Sequence, residues 1–210
     1  MTALAGAERA LNGLAVLAGI LTLGFIAWGF WQGLTRPQGR TTGRAATMLR
    51  APVMLLLTIL WFGACIILWR PLPVTLTSAA TALSLTAGTL LYFPGLALYV
   101  WGAVTLGKMF SPSSAFGDRL HAEHRLVTHG PFAYLRHPLY LGLILASLGG
   151  LFLFRTWTFV FVPLNFMFLP LRARREEKAL AEEFGEAWQS YAARVPAFFP
   201  KRPDKADISG

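Results

Sequence analysis

Long apolar runs separated by short polar gaps dominate the first 171 positions of this 210-residue chain. Five can be drawn, at about 11–34, 52–69, 76–104, 139–154 and 156–171, several near the roughly 18 to 25 residues that carry a helix across a bilayer core. The last two are joined only through Arg155, which predicts a tight helical hairpin. Pro94-Gly95 falls inside the third run and Pro163 inside the fifth, positions where a missing backbone donor kinks a helix. After residue 171 the pattern changes. Leu180, Phe184, Trp188 and Tyr191 recur at spacings of three or four among charged residues, which predicts one amphipathic helix ending before Pro196.

Composition agrees with the pattern: 55% of residues are hydrophobic and 14% charged, where a soluble domain carries about a quarter charged. The fold class expected is an all-α integral membrane protein with about five transmembrane helices, the last two a hairpin. Residues 1–104 form its first three helices. Residues 105–210 form a second region made of a cytoplasmic loop, the hairpin 139–171 and the tail helix. The net charge of +9 does not indicate nucleic acid, because the cations lie in the gaps between apolar runs. Arg36, Arg40, Arg44, Arg50, Lys108, Arg119, Arg125, Arg136 and eight more from Arg172 to Lys205 stand on one face, against Arg9, Arg70 and Arg155 on the other, a split of 16 to 3. The positive-inside rule then places the C-terminus in the cytoplasm and the N-terminus outside, the opposition that an odd number of spans requires. Glu8 and Arg9 precede a run too long for a signal-peptide core, so the first run reads as a retained span. Cys65 is the only cysteine, which excludes an intrachain disulfide and a cysteine-rich metal site.

No GxGxxG between strand and helix, P-loop, HExxH or G-x-S-x-G is present. Instead, all four histidines fall within 17 positions ahead of the hairpin, as His121, His124, His129 and His137. The first three have no helical i, i+4 partner of the kind a zinc site uses, so no metal site is expected. Arg136, His137 and Tyr140 lie before or at the start of the fourth run; Arg172, Glu176 and Glu177 follow the fifth. Arg172 and Glu176 are also spaced for a plain i, i+4 ion pair. Glu177, Glu182, Glu183 and Glu186 read as a solvated helix face, and His121 and His129 as loop residues.

The stretch "HRLVTHGPFAYLRHPLYLG" from His124 to Gly142, followed by a hairpin and then "RARREEKALAEEFGEAWQSYAARVPAFFP" from Arg172 to Pro200, resembles the isoprenylcysteine carboxyl methyltransferase family. That family sits in a wider group of small membrane methyltransferases that includes phospholipid methyltransferases. The resemblance covers about the last 80 residues. It implies S-adenosyl-L-methionine as methyl donor, lined by His124, Arg125, Leu126, Val127, His137, Pro138, Leu139 and Tyr140. It also implies that Glu176 touches the donor and that Arg172 faces the methyl-accepting group. Many family members carry tyrosine where this chain has Phe132, which keeps a ring and loses a hydroxyl.

Chemistry is compatible with that assignment. The donor has a carboxylate, an ammonium, a sulfonium and an adenine ring, and therefore needs charged partners of both signs and apolar walls. His124 or His137 suits its carboxylate, Glu176 an amine or hydroxyl, and Phe132 and Tyr140 its flat faces. Pro131 and Pro138 are expected to hold an extended backbone with free amides and carbonyls. The acceptor implied is a lipophilic carboxylate of isoprenylcysteine type entering from the bilayer. Such a carboxylate is ionised at neutral pH and needs no general base. A phospholipid amine or a thiol would instead require His124 or His137 as base. A membrane reductase of sterol-reductase type using NADPH and a non-catalytic scaffold are the remaining alternatives. Beyond membrane lipids, no protein partner is predicted.

Overall fold

The computed structural model describes residues 3–34, 51–107 and 125–198. These fold into helices and turns without a β-strand. The elements are α1 (Ala3–Leu34), α2 (Ala51–Ile67), α3 (Ser78–Leu106), a 3₁₀ turn (Gly130–Ala133), α4 (Pro138–Phe154), α5 (Thr158–Asn165), a second 3₁₀ turn (Phe166–Phe168), α6 (Leu169–Phe184) and α7 (Glu186–Arg194). By length and composition, two helices, α1 over Ala3–Gly29 and α3 over Ser78–Leu106, are long and apolar enough to cross a membrane. Their outer faces are covered with bare hydrocarbon: Leu21, Leu83 and Leu90 are 65%, 71% and 68% exposed. Patches of this extent are stable only against lipid or another apolar surface, and the chain is a membrane protein.

Without a hydrophobic driving force inside a bilayer, helices associate where small residues let backbones touch. In α3 these are Gly88, Gly95 and Gly102, seven residues apart; in α4 they are Gly142, Ala146 and Gly149. A Cβ on Gly95 would lie 2.5 Å from the Ala146 amide, and one on Gly142 would lie 2.7 Å from the Gly95 carbonyl. Gly149 is pressed against the backbone of Tyr92 in the same way. Pro94 lies within α3, which continues as helix past the contact to Leu106. Around the seam Ala15, Leu85, Tyr92, Ala146 and Leu153 form the core, and the Tyr92 hydroxyl donates to the Ala15 carbonyl at 3.0 Å to bind α1.

One end of the bundle is closed by backbone. Arg155 terminates α4 in the left-handed conformation, with φ of 48°. Its carbonyl accepts from Leu72, and the amides of Trp157 and Thr158 donate to the carbonyls of Arg70 and Leu68. Glu8 pairs with the Arg155 side chain, and the Thr158 hydroxyl donates to the Cys65 carbonyl at 2.7 Å. Arg70 and Arg155, assigned with Arg9 to one face from charge alone, therefore lie at the same end of the bundle. The expected span 156–171 is not one helix. Only eight residues, Thr158–Asn165, are α-helical before the 3₁₀ turn leads into α6; Pro163 removes an amide near that point.

Because the α3–α4 seam has no room for side chains, Gly95→Leu or Gly149→Leu should overpack it by about 1–3 kcal/mol or more. Lower thermal stability in detergent and loss of a monodisperse peak are expected. Gly24→Ala and Gly63→Ala, with nothing within 4 Å of the added carbon, should leave both measurements unchanged.

Candidate active site at the polar end of the bundle

The opposite end carries the polar groups. His137 caps α4 and Pro138 occupies its first turn, where a missing N–H costs nothing. Tyr140 lies two residues further on. From α6 come Arg172, Glu176 and Glu177, near the start of the one strongly amphipathic stretch of the chain. The Tyr140 hydroxyl donates to Glu176 Oε2 at 2.8 Å. The Arg172 guanidinium lies over the Tyr140 ring, 5.6 Å from its centroid, and its Nε is buried without a hydrogen-bond partner. An unpaired buried donor costs about 1–3 kcal/mol, so the Nε of Arg172 is left unsatisfied by the protein.

Arg172 and Glu176 do not form the i, i+4 ion pair that their spacing permits. Glu176 takes the tyrosine hydroxyl, and Arg172 takes the tyrosine face. Nor is Glu177 a solvated residue. Its Oε1 accepts from Arg136 Nε and from His137 Nε2, each at 2.9 Å, and its side chain is only 25% exposed. Adjacent helical positions point about 100° apart, so Glu176 and Glu177 engage different partners from one turn.

Arg136 is the fastener of the tail. Besides Glu177, its Nη1 donates to the carbonyls of Ala192 and Val195 at 2.9 and 2.8 Å, and its guanidinium approaches the Trp188 ring at 5.9 Å. The amides of Arg136 and His137 donate to the carbonyls of Pro196 and Ala197. The backbone ahead of α4 therefore does not offer the free amides expected of an extended loop. Gly130–Ala133 is a 3₁₀ turn, and the Phe132 carbonyl accepts from the Tyr191 hydroxyl at 2.8 Å. The tail is two helices rather than one, broken at Gly185, whose φ of 50° favours glycine. The break lets Trp188, Tyr191 and Val195 turn inward, with Leu126, Leu180 and Phe184 packed against them.

The positions expected to line a donor pocket thus divide. Tyr140, Glu176 and Arg172 come together, and His137 stands beside them with its ring parallel to Tyr140 at 5.4 Å. His137 was expected to be open to a ligand carboxylate; instead it is 6% exposed and its Nε2 is taken by Glu177. Pro138 is buried and Leu139 packs on α3 at Gly102, so both serve the helix seam. Phe132 is buried beneath the tail, Leu126 belongs to the tail cluster, Val127 is half-buried, and Arg125 is exposed. His124 and His121 lie outside the described residues. Among those described, no three of His, Cys, Asp and Glu gather as metal ligands.

Together these features define a polar, aromatic site at the end of an apolar helix bundle. Residues 88–182 match the model of the isoprenylcysteine carboxyl methyltransferase family. The protein-S-isoprenylcysteine O-methyltransferase of Schizosaccharomyces pombe is 33% identical over 102 residues, covering 48% of this chain and 42% of that protein. The human protein of the same name is 34% identical over 119 residues, covering 53% and 42%. The cobalt-zinc-cadmium resistance protein CzcN of Cupriavidus metallidurans is 40% identical over 99 residues, covering 46% and 44%. The matched stretch 88–182 holds α4, α5 and the residues around Tyr140, and is similar to the isoprenylcysteine carboxyl methyltransferase family. The chain spans about two fifths of the length of these relatives.

The hydrogen bond from His137, and then the bonds and charge of Arg136, hold the Glu177 carboxyl below its ordinary value of 4.5 against the opposing effect of burial. A depressed folded-state value contributes stability that is in full force above 4.5 and is lost as pH falls through the depressed value. Thermal melts in detergent from neutral pH downward should show that loss. In Arg136→Met the melt should begin lower and the acid-dependent fall should shrink, because part of the cause of the shift is gone.

Proposed function

We propose that the chain is an S-adenosylmethionine-dependent methyltransferase that methylates the carboxylate of an isoprenylcysteine-like lipophilic acceptor at the membrane–cytoplasm boundary. The observation that carries this reading is Arg172: a half-buried arginine with a buried, unpartnered Nε, lying over Tyr140 where the polar tail meets the apolar bundle. The similarity of residues 88–182 to the isoprenylcysteine carboxyl methyltransferase family and the names of the relatives support it. A multi-pass topology, with residues 105–210 carrying the site, is supported by α1 and α3, each long and apolar enough to cross a membrane. The 16-to-3 distribution of cations supports a cytoplasmic C-terminus and an N-terminus outside.

The residues fit the donor. Glu176 supplies negative charge and the edges of Tyr140 and Phe198 supply aromatic surface, while Arg172 faces the acceptor. When bound, S-adenosylmethionine provides a methyl group on a positively charged sulfur, open to attack by a nucleophile. Arg172 then has one task, to hold the acceptor carboxylate by charge-assisted hydrogen bonds that satisfy its own bare donor. The acceptor is already ionised at neutral pH, so orientation and exclusion of water supply the rate rather than a base. A carboxylate needs no base, whereas an amine or thiol would need one, for which His137, with Nε2 on Glu177, has Nδ1. The acceptor's hydrocarbon stays in lipid while its head reaches the polar end.

Membranes supplied with methyl-labelled donor should transfer label to a prenylcysteine carboxylate and not to aminophospholipid or small-thiol acceptors. Arg172→Ala should lower turnover by about 10²-fold or more with a smaller effect on S-adenosylhomocysteine binding. Glu176→Ala should weaken that binding by roughly tenfold, the loss of about one charge-assisted contact. Normal turnover of a carboxylate acceptor by Arg172→Ala would remove the assigned role.

A further inference from the structure

We propose that Glu177 is a positioning residue of the donor site, acting through His137. It sets the tautomer and ring plane of His137, and the stacked Tyr140 ring takes its place from that plane. The inference rests on reading Tyr140, Glu176 and Arg172 as a donor and acceptor site, and assigns Glu177 a role in it that charge patterning on α6 conceals.

An ionised carboxylate only accepts hydrogen bonds. With Glu177 Oε1 at 2.9 Å from His137 Nε2, the imidazole must carry its proton on Nε2, and in the neutral ring Nδ1 is then the acceptor. The ring has no freedom to turn. It is enclosed by Tyr140 at 5.4 Å and 7° and by Phe198 at 5.3 Å and 27°, and its own amide is bonded to the Ala197 carbonyl. Tyr140 in turn is bonded to Glu176 and covered by Arg172. A continuous chain of contacts runs from Glu177 to His137, to Tyr140, and back to Glu176 and Arg172 on the same helix. A carboxylate that merely fastened the tail would need only Arg136, which has carbonyl partners of its own in Ala192 and Val195.

The test uses the full chain in detergent or nanodiscs, with S-adenosylhomocysteine as the probe and a double-mutant cycle as the readout. Glu177→Gln and His137→Phe should each raise its Kd by roughly tenfold, and the double variant should be no weaker than the weaker single one. In ¹⁵N-histidine spectra, the signal lost in His137→Phe should show a proton on Nε2 in the wild type and should move in Glu177→Gln. Glu177→Asp, which keeps an acceptor, should recover part of the affinity, and Arg136→Lys should lower thermal stability more than affinity. Additive effects in the cycle, or a His137 signal unmoved by Glu177→Gln, overturn the proposal. Wild-type protein that does not bind S-adenosylhomocysteine overturns the donor-site reading and this inference with it. Binding that Glu177→Gln leaves unchanged overturns this inference alone.

Discussion

The half-buried ion pair between Arg136 and Glu177 joins two parts of the chain that have opposite solvent preferences. Arg136 ends the loop that leads into the apolar helix α4, and Glu177 belongs to the polar helix α6. Their side chains are only 14% and 25% exposed, so each charge depends on the other and on the surrounding carbonyls for what water would otherwise supply. Because Arg136 also holds the carbonyls of Ala192 and Val195, the same guanidinium places α7 and draws Trp188 over the loop. His137, the end of α7 and the loop before α4 are tied together through that pair.

The apolar part obeys a different constraint. Glycines seven residues apart bring α3 and α4 into backbone contact, which fixes the depth and rotation of α4 and hence the point where His137 and Tyr140 emerge. A rigid seam below and a charged clamp above leave Tyr140 at the level where helix bundle and tail meet. Glu176 takes the hydroxyl of that ring and Arg172 its face, and the proposed reaction would draw its charged donor from water and its lipophilic acceptor from lipid.

Hydropathy made the bundle legible. The runs at 52–69, 76–104 and 139–154 correspond to helices at Ala51–Ile67, Ser78–Leu106 and Pro138–Phe154, because a continuous apolar stretch has few alternatives to a helix in lipid. The fifth run is not one α-helix: a 3₁₀ turn at Phe166–Phe168, just after Pro163, stands between α5 and α6, which composition does not register. In the tail, the spacing of Leu180, Phe184, Trp188 and Tyr191 gave the correct buried face, but Gly185 was the sign of a break. The meeting of Tyr140 with Glu176 and Arg172 followed from the resemblance of two separated motifs. Glu177 did not stand out, since a glutamate among glutamates on an amphipathic helix carries no local mark of burial. Only its partners 40 and 41 positions earlier distinguish it. Pro94 does not end the helix it lies in, and Gly95 next to it serves helix contact.

The central claim is that the loop before α4 and the first turns of α6 form one pocket for the methyl donor. Ultraviolet crosslinking of labelled S-adenosylmethionine to the full chain, followed by peptide mapping, tests it most directly. The account predicts adducts in peptides spanning residues 125–140 and 169–177, competed by S-adenosylhomocysteine and untouched by NADPH. Adducts confined to other peptides, or displaced by NADPH, would contradict it.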